Sequence, residues 1–178
     1  MIKIVVGLGN PGSEYENTRH NTGRIIVKTI SKKLDEKVKS IKYILPDTFM
    51  NNSGKIVAKY IKSKKDLAGL VVIYDDIDLP IGRMKISFNR SSGGHNGLAS
   101  IIKHLKSEEF LRIRIGICPT TPTEKMKKPK GEDAVIKFIL GEFKKPELDE
   151  LKKLSKKVAE AVICIYTEGK DKAMSLYN

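Results

Sequence analysis

Cysteine is scarce in this chain: Cys118 and Cys164 are its only two among 178 residues. Two thiols cannot staple a domain of this size or furnish a four-ligand zinc site. A disulfide scaffold is therefore excluded, and a reducing compartment, the cytoplasm, is the expectation. Long apolar runs are missing as well, and none approaches the ~20 residues that a membrane-spanning helix needs. The opening Met1-Ile2-Lys3-Ile4-Val5-Val6-Gly7 passes into glycine and polar residues without the pattern of a cleavable signal. Internal repeats, Pro/Gly/Ser linkers and breaks in composition are absent, so a single domain over residues 1–178 is expected. Acidic residues are in deficit, with 21 Asp plus Glu against 34 Lys plus Arg, a formal charge of +13. That excess points to a polyanionic partner, either nucleic acid or an acidic membrane surface. A solvated, lysine-rich surface of a heat-adapted or AT-rich organism would give the same arithmetic. Hydrophobic residues make up 40% of the chain, enough for a core, which excludes wholesale disorder.

Apolar patterning places the elements. Ile2 to Leu8 is a short β-branched run that reads as a strand buried on both faces. Ile26, Val27, Ile30 and Leu34 recur at helical spacing and predict a helix over about 21–35. Ile56, Val57, Tyr60 and Ile61 mark a second helix, and Leu70 to Tyr74 a strand that ends at Asp75-Asp76. Met84, Ile86 and Phe88 alternate with Arg83, Lys85 and Ser87, and Ile113, Ile115 and Ile117 with Arg112, Arg114 and Gly116. Both segments predict strands with one wet face. Leu98 to Leu105, Ala134 to Leu140, the stripe Leu151-Leu154-Val158-Val162-Ile165 and the residues after Gly169 predict further helices. Thr120 to Gly131, rich in Pro, Thr and Lys, predicts a mobile loop. Helices alternate with strands throughout, so the fold class is α/β: a single twisted mixed, partly parallel sheet flanked by helices.

Gly7-Leu8-Gly9-Asn10-Pro11-Gly12 matches the dinucleotide pattern G-x-G-x-x-G. That motif requires a helix to open at the glycines and face the pyrophosphate. Here Ser13 to His20 are polar and irregular, and the acidic residue expected ~20 positions later falls in a basic helical stretch, Lys28 to Lys33. A tight strand-to-loop turn presenting the side chain of Asn10 is the better reading.

Chemically useful side chains cluster at a few turns: Asn10, the run Thr18-Arg19-His20-Asn21, Asn51, Asp75, and Asn96 in Gly93-Gly94-His95-Asn96-Gly97. In open α/β sheets the ligand site lies beyond the carboxyl ends of the strands, so Asn10 and Asp75 can face one crevice. The set has no serine or cysteine nucleophile, and His20, His95 and His104 show no metal-ligand spacing among themselves. One His, one Asp and several Asn support attack by water activated by the His and steered by the Asp. Asn side chains, with one acceptor and two donors, suit a peptide main chain better than a charged substrate.

The stretch Gly-Leu-Gly-Asn-Pro-Gly-x-Glu-Tyr-x-x-Thr-Arg-His-Asn-x-Gly, from Gly7 to Gly23, resembles the opening signature of bacterial-type peptidyl-tRNA hydrolase. Thr48-Phe49-Met50-Asn51, Asp75 to Pro80, Gly93 to Leu98 and Arg112 to Ile117 resemble further segments in the same order, over nearly the whole chain. The resemblance implies hydrolysis of the ester joining a peptide to the 3′-terminal ribose of tRNA, without metal or other cofactor. It implies that this recycles peptidyl-tRNA that has stalled or dropped off. His20 would activate the water, Asp75 would hold His20, and Asn10 would help recognise the N-blocked aminoacyl group. Asn51 and Asn96 would bind substrate near the ester, Tyr15 and Phe49 would lie beside the tRNA terminus, and Lys85 and Arg114 would meet tRNA phosphates. The expected partner is peptidyl-tRNA, with no membrane, no obligate protein partner and a monomeric state. The chain departs from the family pattern in places. The interval from His20 to Asn51 is short, and only Val38 to Leu45 remains to make sheet there, so the loss of an edge strand or of part of a site wall is the expectation. Leu45 and Ser87 stand where lysines are found, and Asn89-Arg90-Ser91-Ser92 replaces a glycine-rich stretch. A non-catalytic tRNA- or RNA-binding protein of the same fold is the alternative reading.

Overall fold

The computed structural model describes residues 2–178. Its centre is a five-stranded sheet built from β1 (Lys3–Gly7), β2 (Ile41–Ile44), β3 (Leu70–Pro80), β4 (Met84–Phe88) and β5 (Leu111–Cys118), in the order β2-β1-β3-β5-β4. All pairings are parallel except that of the edge strand β4 with β5. The helices are α1 (Thr22–Lys37), α2 (Ser53–Val57), α3 (Lys64–Ala68), α4 (Asn96–Leu105), α5 (Glu132–Leu140), α6 (Lys145–Thr167) and α7 (Lys170–Tyr177).

Alternating side chains of the central strands feed two separate cores. Val5, Val71, Ile73, Ile113 and Ile115 pack under the stripes of α1 and α6. Val6, Leu8, Val72 and Tyr74 pack under Val57, Leu98 and Ile101 on the opposite face. A strand covered on both faces must be apolar at every position, which is why β1 reads as a continuous hydrophobic run. The stripe of α1, Ile26, Val27, Ile30 and Leu34, is buried as its spacing predicts. So is that of α6, from Leu151 to Ile165. The short interval after α1 does keep an edge strand, β2, in parallel register with β1.

Three expectations need correction. β3 does not stop at Tyr74 but continues through Asp75, Asp76 and Asp78 to Pro80, with a register shift against β5 after Asp76. β5 has no wet face: all eight residues are buried, because it lies between β3 and β4 rather than at an edge. Arg112 is 0% exposed and stacks over Phe110, with 4.5 Å from its guanidinium carbon to the ring centre. The second helix begins earlier than predicted, after a 3-10 turn at Met50–Asn52, and α3 follows where no helix was expected. The segment 120–131 has no helix or long strand, and its backbone closes a small turn through Thr121 N–H to Lys125 O and Lys127 N–H to Pro119 O.

The N-terminal glycines serve packing. A Cβ at Gly7 would lie 2.5 Å from the Gly23 carbonyl oxygen, and one at Gly23 would lie 2.2 Å from that of Ile73. The first turn of α1 is thus pressed directly onto the carboxyl ends of β1 and β3. The residues just before α1, including His20, are held against the end of β3 as a result.

Candidate active site

His20 lies in a 3-10 turn, Arg19–Asn21, that leads into α1. Its neighbour Arg19 anchors that turn to the C-terminal helices. Nη2 of Arg19 meets Glu147 Oε2 at 3.0 Å, its guanidinium sits over the Phe138 ring at 4.5 Å, and its N–H donates to the Gly141 carbonyl. Asn21 fastens the other side. Its Nδ2 donates to the carbonyl of Asn10 at 2.9 Å, and the Asn10 N–H donates to Asn21 Oδ1 at 2.8 Å. Glycine-rich turns offer backbone groups that need partners when buried, and here one asparagine satisfies both groups of residue 10.

The centre of the site is Asp75, on the part of β3 beyond its apolar run. His20 Nδ1 stands 2.9 Å from Asp75 Oδ2 and 3.2 Å from Oδ1, and His95 Nε2 stands 3.1 Å from Oδ1. The carboxylate thus lies between two imidazoles. The Leu98 N–H donates to Nδ1 of His95, which caps α4, so the His95 proton resides on Nε2 and is donated to Asp75. With Nδ1–H of His20 pointed at the carboxylate, its Nε2 is the basic nitrogen and has no partner among the described residues. Burial alone would raise the Asp75 pKa. The facing His20 and His95 outweigh it and hold the carboxyl well below the usual carboxylate range. For His20 burial would lower the pKa, but the charge and hydrogen bond of Asp75 raise it above its ordinary 6.5. The ligand atoms of His20, Asp75 and His95 lie within 4.8 Å of one another and form a group that could hold a metal ion. Histidine spacing along the chain does not reveal this group, because the fold brings 20, 75 and 95 together. His20 Nδ1 and His95 Nε2 already face oxygens of that carboxylate at hydrogen-bond distance.

His20 and Asp75 open into a cavity of about 310 Å³ that Asn96 and Arg114 also line. Tyr74 forms part of the same wall, edge-on to the His95 ring with 4.9 Å between centres. Burial, with Asp76 nearby, pushes the Tyr74 phenol up to about 12. Asn10, Tyr15, Phe49 and Asn51 do not line this cavity, and Asn10 lines a separate one with Asn21 and Arg24. Met50 N–H donates to Asn10 Oδ1 at 2.8 Å, which ties the strand-to-loop turn to the turn that carries Asn51. That turn packs on α4, whose first residue is Asn96: a Cβ at Gly97 would lie 2.4 Å from the Met50 sulfur. Asn10 Nδ2 has no partner among the described residues. Tyr15 and Phe49 stack edge-to-face at 6.5 Å, and Phe49 is 59% exposed.

Lys85 is exposed on the edge strand β4, directly across from Arg114. Arg114 is buried, and its Nε meets Asp76 Oδ2 at 2.5 Å. Of the functional side chains, sequence reasoning missed Tyr74, and it flagged Arg19, Asn21 and His95 only as members of their turns, without giving them a role. The only signal for His95 was its place before a helix start, which is ordinary for a cap.

Comparison with known proteins points one way. The family model described as peptidyl-tRNA hydrolase matches residues 4–178. A peptidyl-tRNA hydrolase of Caldanaerobacter subterraneus subsp. tengcongensis is 39% identical over 192 residues, covering 98% of each chain. One from Synechococcus sp. (strain JA-2-3B'a(2-13)) is 37% identical over 195 residues, covering 99% of this chain and 83% of the relative. The crystal structure of the Acinetobacter baumannii peptidyl-tRNA hydrolase superposes with a TM-score of 0.84 at 27% identity, covering 99% of this chain and 94% of that one.

Proposed function

The chain belongs to the peptidyl-tRNA hydrolase family, and on that premise we propose how its own residues cleave the ester between peptide and tRNA. A water molecule between His20 Nε2 and the ester carbonyl gives its proton to Nε2 as its oxygen attacks the carbonyl carbon. The imidazolium that forms is stabilised by Asp75, which also keeps Nδ1 protonated in the resting state. When the intermediate collapses, the ribose oxygen leaves and takes the proton back from His20. The products are tRNA and a free peptide carboxylate. A positioned His base is worth ~10²–10⁴ in rate.

Asn10 turns its free Nδ2 toward the N-blocked aminoacyl group, while Asn51 and Asn96 hold the main chain near the ester. Tyr15 and Phe49 flank the terminal nucleotide. Lys85 meets tRNA phosphates, as do the Nη nitrogens of Arg114, which make no hydrogen bond among the described residues. These contacts ignore sequence and suit an enzyme that accepts many tRNAs. The proposed working form is a monomer in the compartment where translation runs. No helix among the described residues is long and apolar enough to cross a membrane.

The observation that carries this reading is the His20–Asp75 contact at 2.9 Å, beside a cavity into which Nε2 is free to act. It also disfavours a tRNA-binding protein without activity, which would have no need of an oriented base. The test is release of N-acetylaminoacyl groups from tRNA. The wild type is expected to turn over and His20→Ala to lose nearly all activity while still binding tRNA. Binding without turnover in the wild type would overturn the reading.

A further inference from the structure

His20 Nδ1, Asp75 Oδ1 and His95 Nε2 converge from three separate elements: the turn before α1, strand β3 and the cap of α4. Their side chains are all at least nine-tenths buried. Two imidazole nitrogens and one carboxylate oxygen are a donor set of zinc sites that keep a fourth position open. Zinc holds such donors at ~2.0–2.2 Å, which puts neighbouring ligand atoms of a tetrahedron about 3.3–3.6 Å apart. Asp75 Oδ1 already stands 3.2 Å from His20 Nδ1 and 3.1 Å from His95 Nε2. These two edges of the tetrahedron thus need almost no change. The ligand atoms all lie within 4.8 Å of one another, so the third edge, between the two nitrogens, closes by a small turn of the rings. All three residues line the catalytic cavity, which leaves the fourth position to water.

We propose that His20, Asp75 and His95 bind a divalent ion of the zinc type, and that this ion switches the hydrolase off. The consequence for turnover rests on the hydrolase reading above; the binding itself does not. Coordination takes the lone pair of Nδ1 of His20, so the proton that Nδ1 donates to Asp75 moves to Nε2. Nε2 then carries a proton and cannot accept one from water, and the base is lost. The ion sits on the Nδ1 side of the ring, away from the nitrogen at which the attacking water is activated. His95 changes tautomer in the same way. Its proton moves from Nε2 to Nδ1, which then releases the Leu98 N–H, a contact already long at 3.3 Å. Each neutral imidazole keeps one proton, so only the tautomers change. Mg²⁺ and Ca²⁺ are hard ions that take six or more oxygen ligands, and this set offers them one. Zn²⁺ and Co²⁺ accept imidazole nitrogen readily.

The test titrates Zn²⁺ and Co²⁺ into the chelator-treated protein, following the heat of Zn²⁺ binding and the visible absorption of Co²⁺. Turnover is measured on an N-acetylaminoacyl ester carried by the last two nucleotides of tRNA, so that metal bound to the body of tRNA does not enter. One Zn²⁺ per chain should bind and abolish turnover in proportion to occupancy, and chelation should restore it. Mg²⁺ in large excess should not inhibit. Bound Co²⁺ should show the intense visible bands of a four-coordinate ion, and hydrogen exchange at the Leu98 N–H should quicken when Zn²⁺ binds. His95→Asn removes a ligand and should weaken Zn²⁺ binding by at least the ~10–100-fold that loss of an outer partner costs. Its inhibition, scored against its own metal-free rate, should shift by the same factor. His104→Asn, and a Cys118→Ser, Cys164→Ser variant, remove the other histidine and both thiols. With native circular dichroism confirmed, both should bind Zn²⁺ and be inhibited as the wild type is. Equal Zn²⁺ affinity in wild type and His95→Asn would overturn the proposal, as would loss of binding in either control. Turnover unchanged or raised at full Zn²⁺ occupancy would overturn it too. Failure of the metal-free wild type to cleave the ester would refute the hydrolase reading instead, and the two titrations would still decide the site.

Discussion

Nε of Arg114 lies 2.5 Å from Asp76 Oδ2, with both side chains about nine-tenths buried. The two residues sit on neighbouring central strands, and the pair separates Arg114 from its exposed neighbour Lys85 in function. Lys85→Ala removes a solvated charge and should leave stability nearly unchanged while lowering the salt slope of tRNA binding by ~1. Arg114→Ala also strands a carboxylate in the site wall, at a cost of about 3 kcal/mol in stability. That carboxylate then repels phosphate, so binding should fall further than in Lys85→Ala. Asp76→Asn should tighten tRNA binding by releasing the guanidinium charge. Denaturant melts and salt-dependent anisotropy on the three variants check this, and equal effects from Lys85→Ala and Arg114→Ala would contradict it.

The His20 base works only when neutral, and its pKa lies above the ordinary 6.5 because Asp75 outweighs the effect of burial. The acid limb of kcat/KM should therefore fall off at a pH above the unperturbed histidine value. The stability effect has the opposite sense. A histidine whose folded pKa is raised contributes stability that is fully present below its unfolded pKa and is lost as pH rises through the folded one. Asp75, whose pKa is depressed, contributes stability above its unfolded pKa that is lost only in strong acid. Turnover should thus increase over the same pH window in which the pair's stabilisation declines. In Asp75→Asn the rate should drop by about 10⁴, as the wrong tautomer becomes available, and the His20 contribution to the pH–stability curve should change sign, because burial alone lowers its pKa.

His95 shares the same carboxylate. His95→Asn keeps a side chain able to cap α4 but removes the proton donated to Asp75 Oδ1. Asp75 then concentrates on His20, so the acid limb of the pH–rate profile should move to higher pH with little change in the plateau. A profile that stays in place would show that His95 is only a helix cap.

Asn21 holds both main-chain groups of Asn10 in buried hydrogen bonds. Asn21→Ala is expected to cost about 1–3 kcal/mol, the penalty for buried groups left unpaired. It should also loosen the orientation of Asn10, raising KM for N-blocked substrates more than it lowers kcat. Thermal unfolding and steady-state kinetics check the two halves separately.

Much of the architecture was legible in the chain, because local patterns report local burial. The runs at β1 and the start of β3, and the stripes of α1 and α6, recur with the spacing their burial demands. The catalytic candidates His20, Asp75 and Asn10 also stood out, since Asn10 and Asp75 follow apolar strands, which marks the carboxyl edge of a sheet, and His20 precedes a helix. The length of β3 was not legible. Asp75 and Asp76 can occupy a buried strand only because His20, His95 and Arg114 meet them from elsewhere in the sequence. Nor was the burial of Arg112 and Arg114 legible. Alternation marks a strand with two unlike faces, but whether the polar face meets water depends on the strand's place in the sheet, and β5 is internal. The scarcity of cysteine and of long apolar runs, and the excess of positive charge, were settled by composition alone, because a count does not depend on the fold. Which cations are free and which are matched was decided only by tertiary structure, since pairing depends on distances between residues that the chain order keeps apart.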